Sequence, residues 1–171
     1  MPYAARLLER LGAMADVEIH LVISGGAREV MRREGYGAEE IERLAKFVYD
    51  PDDLGAAIAS GSFQTGGMVV VPASATTVGK MAAGIGDNLL LRAAYVHLKE
   101  RRRLVVVLRE TPLPLPTLRA LEQLAQAGAV VMPASPGFYN RPRTIADLVD
   151  FMVQRILDHL GFQAPGPRWG G

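Results

Sequence analysis

Leu104–Leu108 reads LVVVL, five aliphatic residues in a row with no polar alternation. A strand with one wet face alternates apolar and polar positions, so an unbroken run belongs to a strand covered on both faces, as inside a parallel sheet flanked by helices. Met68–Val71 (MVVV) reads the same way, and Val17–Ile23 (VEIHLVI) and Ala129–Met132 (AVVM) supply further strands. Parallel neighbours cannot be joined by hairpins, so each crossover needs a helix. Helical spacing fills the intervals: Tyr3–Met14, with Leu7, Leu8 and Leu11 opposite Arg6, Glu9 and Arg10, then Ala27–Glu34, Ala38–Ala45, Thr76–Ala83, Leu89–Arg102 and Pro116–Gln126. Thr144 caps a last helix to about Leu160, which Gly161 stops. Phe47–Tyr49 reads as a short strand, Asp53 as the cap of a brief helix through Ile58, and Ser60–Gly67 as a polar loop. The prediction is an α/β fold: a doubly wound, mostly parallel sheet with helices on both faces.

At 171 residues the chain suits a single domain with a real core. A net charge of +1 gives no pull toward nucleic acid. The absence of cysteine excludes disulfides, thiolate metal sites and cysteine nucleophiles. His20, His97 and His159 are scattered without a second ligand at metal spacing, so no metal is expected. The apolar runs are too short to cross a bilayer, and the N-terminus reads as an amphipathic helix and not a signal peptide. The expected setting is the cytoplasm, with no membrane contact.

In a doubly wound sheet, ligands sit beyond the carboxyl ends of the strands. Polar residues cluster there in four loops: Ser24-Gly25, Pro72 with Ser74 and Thr77, Arg109-Glu110, and Pro133–Tyr139. Hydroxyls at a helix start offer a phosphate both donors and the positive end of a dipole. Each residue also has a plainer reading. Ser24, Thr76 and Thr77 serve equally as helix caps, Arg109-Glu110 as an internal ion pair and Tyr139 as surface packing. Arg155 reads as part of a solvated face, and Arg101–Arg103 as a solvated helix end.

The order of the longer motifs resembles the UbiX-type flavin prenyltransferases, within a flavoprotein family that also includes flavin-dependent cysteine decarboxylases. The likeness rests on LVIS at 21–24, VPAS at 71–74, GIGDNLLLRAA at 84–94 and LKERRRLVVVLRETPL at 98–113. It continues through GAVVMPASPGFYNRP at 128–142 and DLVDFMVQRILDHLG at 147–161. It implies a Rossmann-like, flavodoxin-like domain over 1–161, with a tail, 162–171, that closes over the site. It implies an enzyme that transfers a dimethylallyl group from dimethylallyl phosphate to N5 and C6 of reduced FMN, without a metal. The product would serve a UbiD-type decarboxylase, and the assembly would be a homo-oligomer, a dodecamer with active sites at subunit contacts.

By the same resemblance, Ser24, Ser74, Ala75, Thr76, Thr77 and Arg109 would contact FMN. Arg92, Lys99, Tyr139 and Arg155 would grip the prenyl phosphate, some of them from a neighbouring subunit, with Trp169 in the closing tail. Glu34 and Glu110 would be the carboxylates near the reacting atoms, and Ser60 a serine near the prenyl site. Thr76 stands where the related decarboxylases carry asparagine, and no histidine falls at their catalytic position. An FMN-dependent decarboxylase, against which both departures count, and a non-catalytic flavin-binding protein are the alternatives. Members of the group begin with an apolar strand and a Gly-Ala-Ser-Gly turn before the first helix. This chain starts at Met1-Pro2-Tyr3, about where that helix begins. The expectation is a sheet whose first, central strand is missing, with unpaired backbone at its centre and a natural reading frame that begins upstream.

Overall fold

A computed structural model describes residues 1–163 and Gly166. The strands are β1 (His20–Val22), β2 (Phe47–Tyr49), β3 (Met68–Ala73), β4 (Leu104–Leu108) and β5 (Val130–Pro133). The helices are α1 (Pro2–Gly12), α2 (Gly25–Arg33), α3 (Ala38–Glu42), α4 (Ala75–Ala82), α5 (Leu89–Lys99), α6 (Leu115–Gln126) and α7 (Ile145–Leu160). Every strand pairing is parallel, as the apolar runs require. No helix among the described residues is long and apolar enough to cross a membrane.

The sheet is in two pieces: β1 pairs with β2, while β3, β4 and β5 form a separate ladder in that order. A cleft of about 560 Å³ lies between β1 and β3. This discontinuity falls where the resemblance places a missing first strand. It also explains a difference between two runs that look alike in sequence. All five residues of β4 are buried, but in β3 only Val70 and Ala73 are, because β3 has a strand on one side only.

Period-2 alternation along β4 divides the core. Val105 and Val107 face a cluster built from α1, β1, α2 and α7, whereas Leu104, Val106 and Leu108 face one built from α4, α5 and α6. Each of these fully buried aliphatic side chains contributes roughly 1.5–3 kcal/mol. The two clusters are the two helix layers of the doubly wound fold.

Helix ends follow local chemistry. Thr144 Oγ1 accepts from the N–H of Asp147 at 3.1 Å, and the Asp147 carboxylate accepts from the N–H groups of Arg143 at 2.8 Å and Thr144 at 2.9 Å. That capping box fixes the start of α7, and the N–H of Arg143, then that of Thr144, hold the Asp147 carboxyl below the usual range. Gly161 ends the helix at φ 90°, a left-handed conformation that favours glycine.

Three sequence readings need correction. Asp53 does not cap a helix: its Oδ1 accepts from the N–H of Gly55 at 3.0 Å, a turn, and only a 3₁₀ turn at Ala57–Ala59 follows. α5 ends at Lys99 instead of Arg102, because Arg101 turns left-handed at φ 53°. Arg101 and Arg103 are exposed, but Arg102 is half-buried, and both Arg102 and Arg103 are tied to distant backbone. The Arg102 guanidinium donates to the carbonyls of Phe63 at 2.6 Å and Gly61 at 2.5 Å, and Arg103 donates to the Leu160 carbonyl at 2.6 Å. Of the predicted closing tail, only Phe162, Gln163 and Gly166 are described, and Trp169 lies outside the described residues.

Candidate functional site

Ser24 and Ser74 end β1 and β3 in the same way. Each is extended and each caps the next helix: Ser24 Oγ accepts from the Ala27 N–H at 3.2 Å, and Ser74 Oγ from the Thr77 N–H at 3.1 Å. Thr77 Oγ1 lies 3.0 Å from Ser74 Oγ. The capping role is therefore present for both serines. It leaves the N–H groups of Gly25, Gly26, Ala75 and Thr76 without a hydrogen bond among the described residues. Such first-turn amides, at the positive end of the helix, suit a phosphate dianion.

Arg109 follows β4, and its N–H donates to the Ala73 carbonyl at 3.3 Å. This extra ladder bond places Arg109 beside Ser74 at the carboxyl edge. Its side chain is 58% exposed, and its guanidinium lies 4.0 Å from Glu34 Oε1. The other Glu34 oxygen is 2.5 Å from the ammonium of Met1. Glu34, the C-cap of α2, thus stands beside the Arg109 guanidinium. Glu110 is exposed beside Arg109. The strand pair β4–β5 is likewise prolonged by the Ala134 N–H on the Leu108 carbonyl at 2.8 Å.

From there the loop carries Tyr139 back onto α7. The Tyr139 ring meets Phe151 edge-on, with centroids 5.7 Å apart. Phe151 and Arg155 are one turn apart on one face of α7, so Tyr139 and Arg155 share that side. Arg155 donates to Asp158 at 3.1 Å. The structure therefore brings Ser24, Ser74–Thr77, Glu34, Arg109 and Glu110 to the carboxyl edge of the strands.

Two expected residues lie elsewhere. Lys99 is the last residue of α5, just before β4 begins, and pairs with Glu100. A Cβ placed on Gly61 would fall 2.7 Å from Lys99 Nζ, so the Ser60–Gly61 segment adjoins Lys99. Ser60 itself pairs with Ser62 Oγ at 2.9 Å. Lys99 and Ser60 thus sit together at the amino edge of the sheet, opposite Arg109. Arg92 stands near the start of α5, its guanidinium 5.7 Å from the centre of the Tyr95 ring.

Sequence reasoning missed the fastening of the Ser60 loop. Besides Arg102, His97 holds it: Nδ1 lies 2.8 Å from the Ala93 carbonyl and Nε2 2.8 Å from Thr65 Oγ1. A carbonyl only accepts, so Nδ1 carries the proton and Nε2 accepts from the Thr65 hydroxyl. Burial, which disfavours the charged ring, lowers the His97 pKa. Nothing local in the sequence signals these contacts, which span 32 to 41 positions. Among the described residues no three histidine, aspartate or glutamate side chains are grouped to hold a metal ion.

Comparison with known proteins adds a chemical context. A family model described as Flavoprotein matches residues 1–157. The flavin prenyltransferase UbiX of Deinococcus radiodurans is 51% identical over 172 aligned residues, covering 99% of this chain and 87% of that protein. A dodecameric FMN-dependent UbiX-like decarboxylase from Escherichia coli O157:H7 has the same fold, with a TM-score of 0.96 and 42% identity over 99% of this chain and 93% of that one. AnUbiX (PadA1), solved in complex with FMN and dimethylallyl pyrophosphate, gives a TM-score of 0.91 and 40% identity over 99% and 89%.

Proposed function

We infer, from a chain that belongs to the Flavoprotein family, that this protein is a flavin prenyltransferase. It transfers a dimethylallyl group from dimethylallyl phosphate to N5 and C6 of reduced FMN. The observation that carries this reading is 51% identity to a flavin prenyltransferase across 99% of the chain. The site fits the acceptor. Four unpartnered first-turn amides, with the hydroxyls of Ser24, Ser74, Thr76 and Thr77, suit its phosphate, and the exposed Arg109 guanidinium suits its ring system.

The acceptor supplies nucleophilic N5 and C6, and the chain supplies positioning and charge. In our reading Tyr139 and Arg155 hold the phosphate of the prenyl donor and stabilise it as a leaving group while positive charge develops on the allyl carbon. Glu34 and Glu110 stand where protons released on alkylation are accepted, with the freed phosphate as a further acceptor. Arg92, Lys99 and Ser60 reach a site when supplied by a second copy of the chain. We therefore place the prenyl site at a subunit contact in a homo-oligomer, a dodecamer like the E. coli neighbour. Ile145 and Phe138, 78% and 71% exposed, suit surfaces covered by other copies. The product would pass to a UbiD-type decarboxylase in the cytoplasm.

The test is incubation with reduced FMN and dimethylallyl phosphate, followed by mass spectrometry of the flavin. A flavin heavier by one C5H8 unit is expected, and unchanged FMN overturns the reading. The name of the E. coli neighbour keeps a decarboxylase as the second reading. Loss of CO2 from a C-terminal cysteine peptide, without a flavin adduct, would select it.

A further inference from the structure

We propose that Tyr95 is a positioning residue for Arg92: its ring face holds the guanidinium charged and with its N–H donors free for the phosphate of the prenyl donor. The proposal rests on the prenyltransferase reading, in which Arg92 serves that phosphate from a second copy of the chain.

Four cations carry ligand roles in that reading, and three of them have a carboxylate partner within the chain. Lys99 pairs with Glu100, Arg109 lies 4.0 Å from Glu34, and Arg155 lies 3.1 Å from Asp158. Arg92 has no such partner among the described residues. Asp87, its nearest carboxylate in sequence, is held by Lys80 Nζ at 2.5 Å. The neighbour of Arg92 is Tyr95, three positions along α5 and so on the same side of the helix. The guanidinium carbon lies over the Tyr95 ring, 5.7 Å from its centre.

The difference matters to a phosphate. A carboxylate takes up N–H donors and offsets the positive charge, so an arriving phosphate has to displace it. The face of an aromatic ring attracts a cation through its quadrupole and leaves the in-plane fork of a guanidinium open. The side chain is held in place while its donors stay free. Less rotamer freedom then remains to be lost when the phosphate binds.

The base of Arg92 is held as well. Asn88 Oδ1 caps α5 by accepting from the Leu91 N–H at 2.9 Å, and the Leu89 N–H donates to the Pro51 carbonyl at 2.7 Å. These bonds fix the first turn, from which Arg92 projects. Gly86 lies against the stem: a Cβ built there would stand 3.7 Å from Arg92 Cδ. Backbone beside the stem and a ring under the head together limit the directions open to the guanidinium. Both residues are exposed, as a group offered to a neighbouring copy must be.

The experiment compares Tyr95→Phe with proteins carrying a phenylalanine of one, two or three ring fluorines at position 95. Fluorine drains negative charge from the ring face with little change in size. Calorimetry reads the binding of dimethylallyl phosphate to the full chain loaded with oxidised FMN, which accepts no prenyl group. Tyr95→Phe should bind within about twofold of wild type. The Kd should then rise stepwise, by about two- to fivefold at three fluorines, the range of a cation–π contact at an exposed site. In an Arg92→Gln background the series should be flat. Equal Kd along the first series would reduce Tyr95 to packing and overturn the proposal. So would a rise that persists with Arg92→Gln, loss of binding in Tyr95→Phe, or no binding by any of the proteins. Adduct formation from reduced FMN tests the underlying reading separately. A flat series in protein that makes the adduct sinks this proposal alone, and a fluorine-dependent Kd without the adduct sinks the prenyltransferase reading alone.

Discussion

Ser74 has two tasks that substitution can separate. It caps α4 through the Thr77 N–H, and in our reading it also faces the flavin phosphate. Thr144 is a cap of the same chemistry on α7 with no place in the proposed site. Ser74→Ala and Thr144→Ala should each cost about 1 kcal/mol in denaturant unfolding. Only Ser74→Ala should weaken FMN binding as well, by roughly tenfold in a fluorescence titration, equivalent to ~1.4 kcal/mol. Equal FMN affinity in the two variants would reduce Ser74 to a cap. Glu110→Gln should lose the flavin adduct far more than FMN binding, and a parallel loss of both would assign Glu110 to flavin binding. His97 sets a pH dependence. Its folded pKa is depressed by burial, so the folded state binds fewer protons than the unfolded chain as pH falls below about 6.5. Stability from this group is therefore complete above the unfolded pKa and declines as pH falls from there toward the lower folded pKa. The melting temperature of the wild type should drop between pH 7.5 and 5.5, and His97→Gln should flatten that part of the profile.

Among the elements, the Ser60 loop has little regular structure of its own and is fastened from outside. The Arg102 fork meets two carbonyls two residues apart with two separate nitrogens, a planar reach that the single nitrogen of a lysine ammonium does not reproduce. Arg102→Lys should therefore behave like Arg102→Ala: faster proteolytic cleavage within residues 60–67 and a lower rate of prenyl transfer, with FMN affinity within about twofold of wild type. Rescue by lysine would show that charge alone suffices. This scale also shows what a sequence can reveal. The limits of β4, β2 and the start of α7 were readable because their cues are local: five aliphatic residues between polar neighbours, and Thr144 three positions before Asp147. The hydroxyls at the helix starts were readable for the same reason, since a strand followed by Ser and a helix is a local pattern. The contacts of Arg102 and Arg103 were missed because their acceptors, Gly61, Phe63 and Leu160, are 39 to 57 positions away. Periodicity cannot tell a guanidinium that meets carbonyls from one that meets water.

Across the whole molecule, Lys99 and Ser60 at one edge of the sheet and Arg109 at the other cannot serve one site within one chain. If the site is shared, Lys99→Ala and Arg109→Ala subunits are each inactive alone but repair each other. Mixed after dissociation and reassembly, they should recover up to about a quarter of wild-type activity, because a random mixture places two intact halves together that often. No recovery in verified mixed oligomers would place both residues in the same site. The assembly was not readable from periodicity, and neither was the division of the sheet. MVVV and LVVVL look alike on paper, and only the neighbours of each strand separate them.

Ser24 and Ser74 stand on opposite pieces of the sheet, which no strand ladder joins among the described residues. Among the described residues, the spacing between these two helix caps is held by the packing of α1 and α7 against strands of both pieces across one face. In our reading of the site, a shift of α1 against α7 changes the distance between the two caps, and with it the fit of any anion that both would hold.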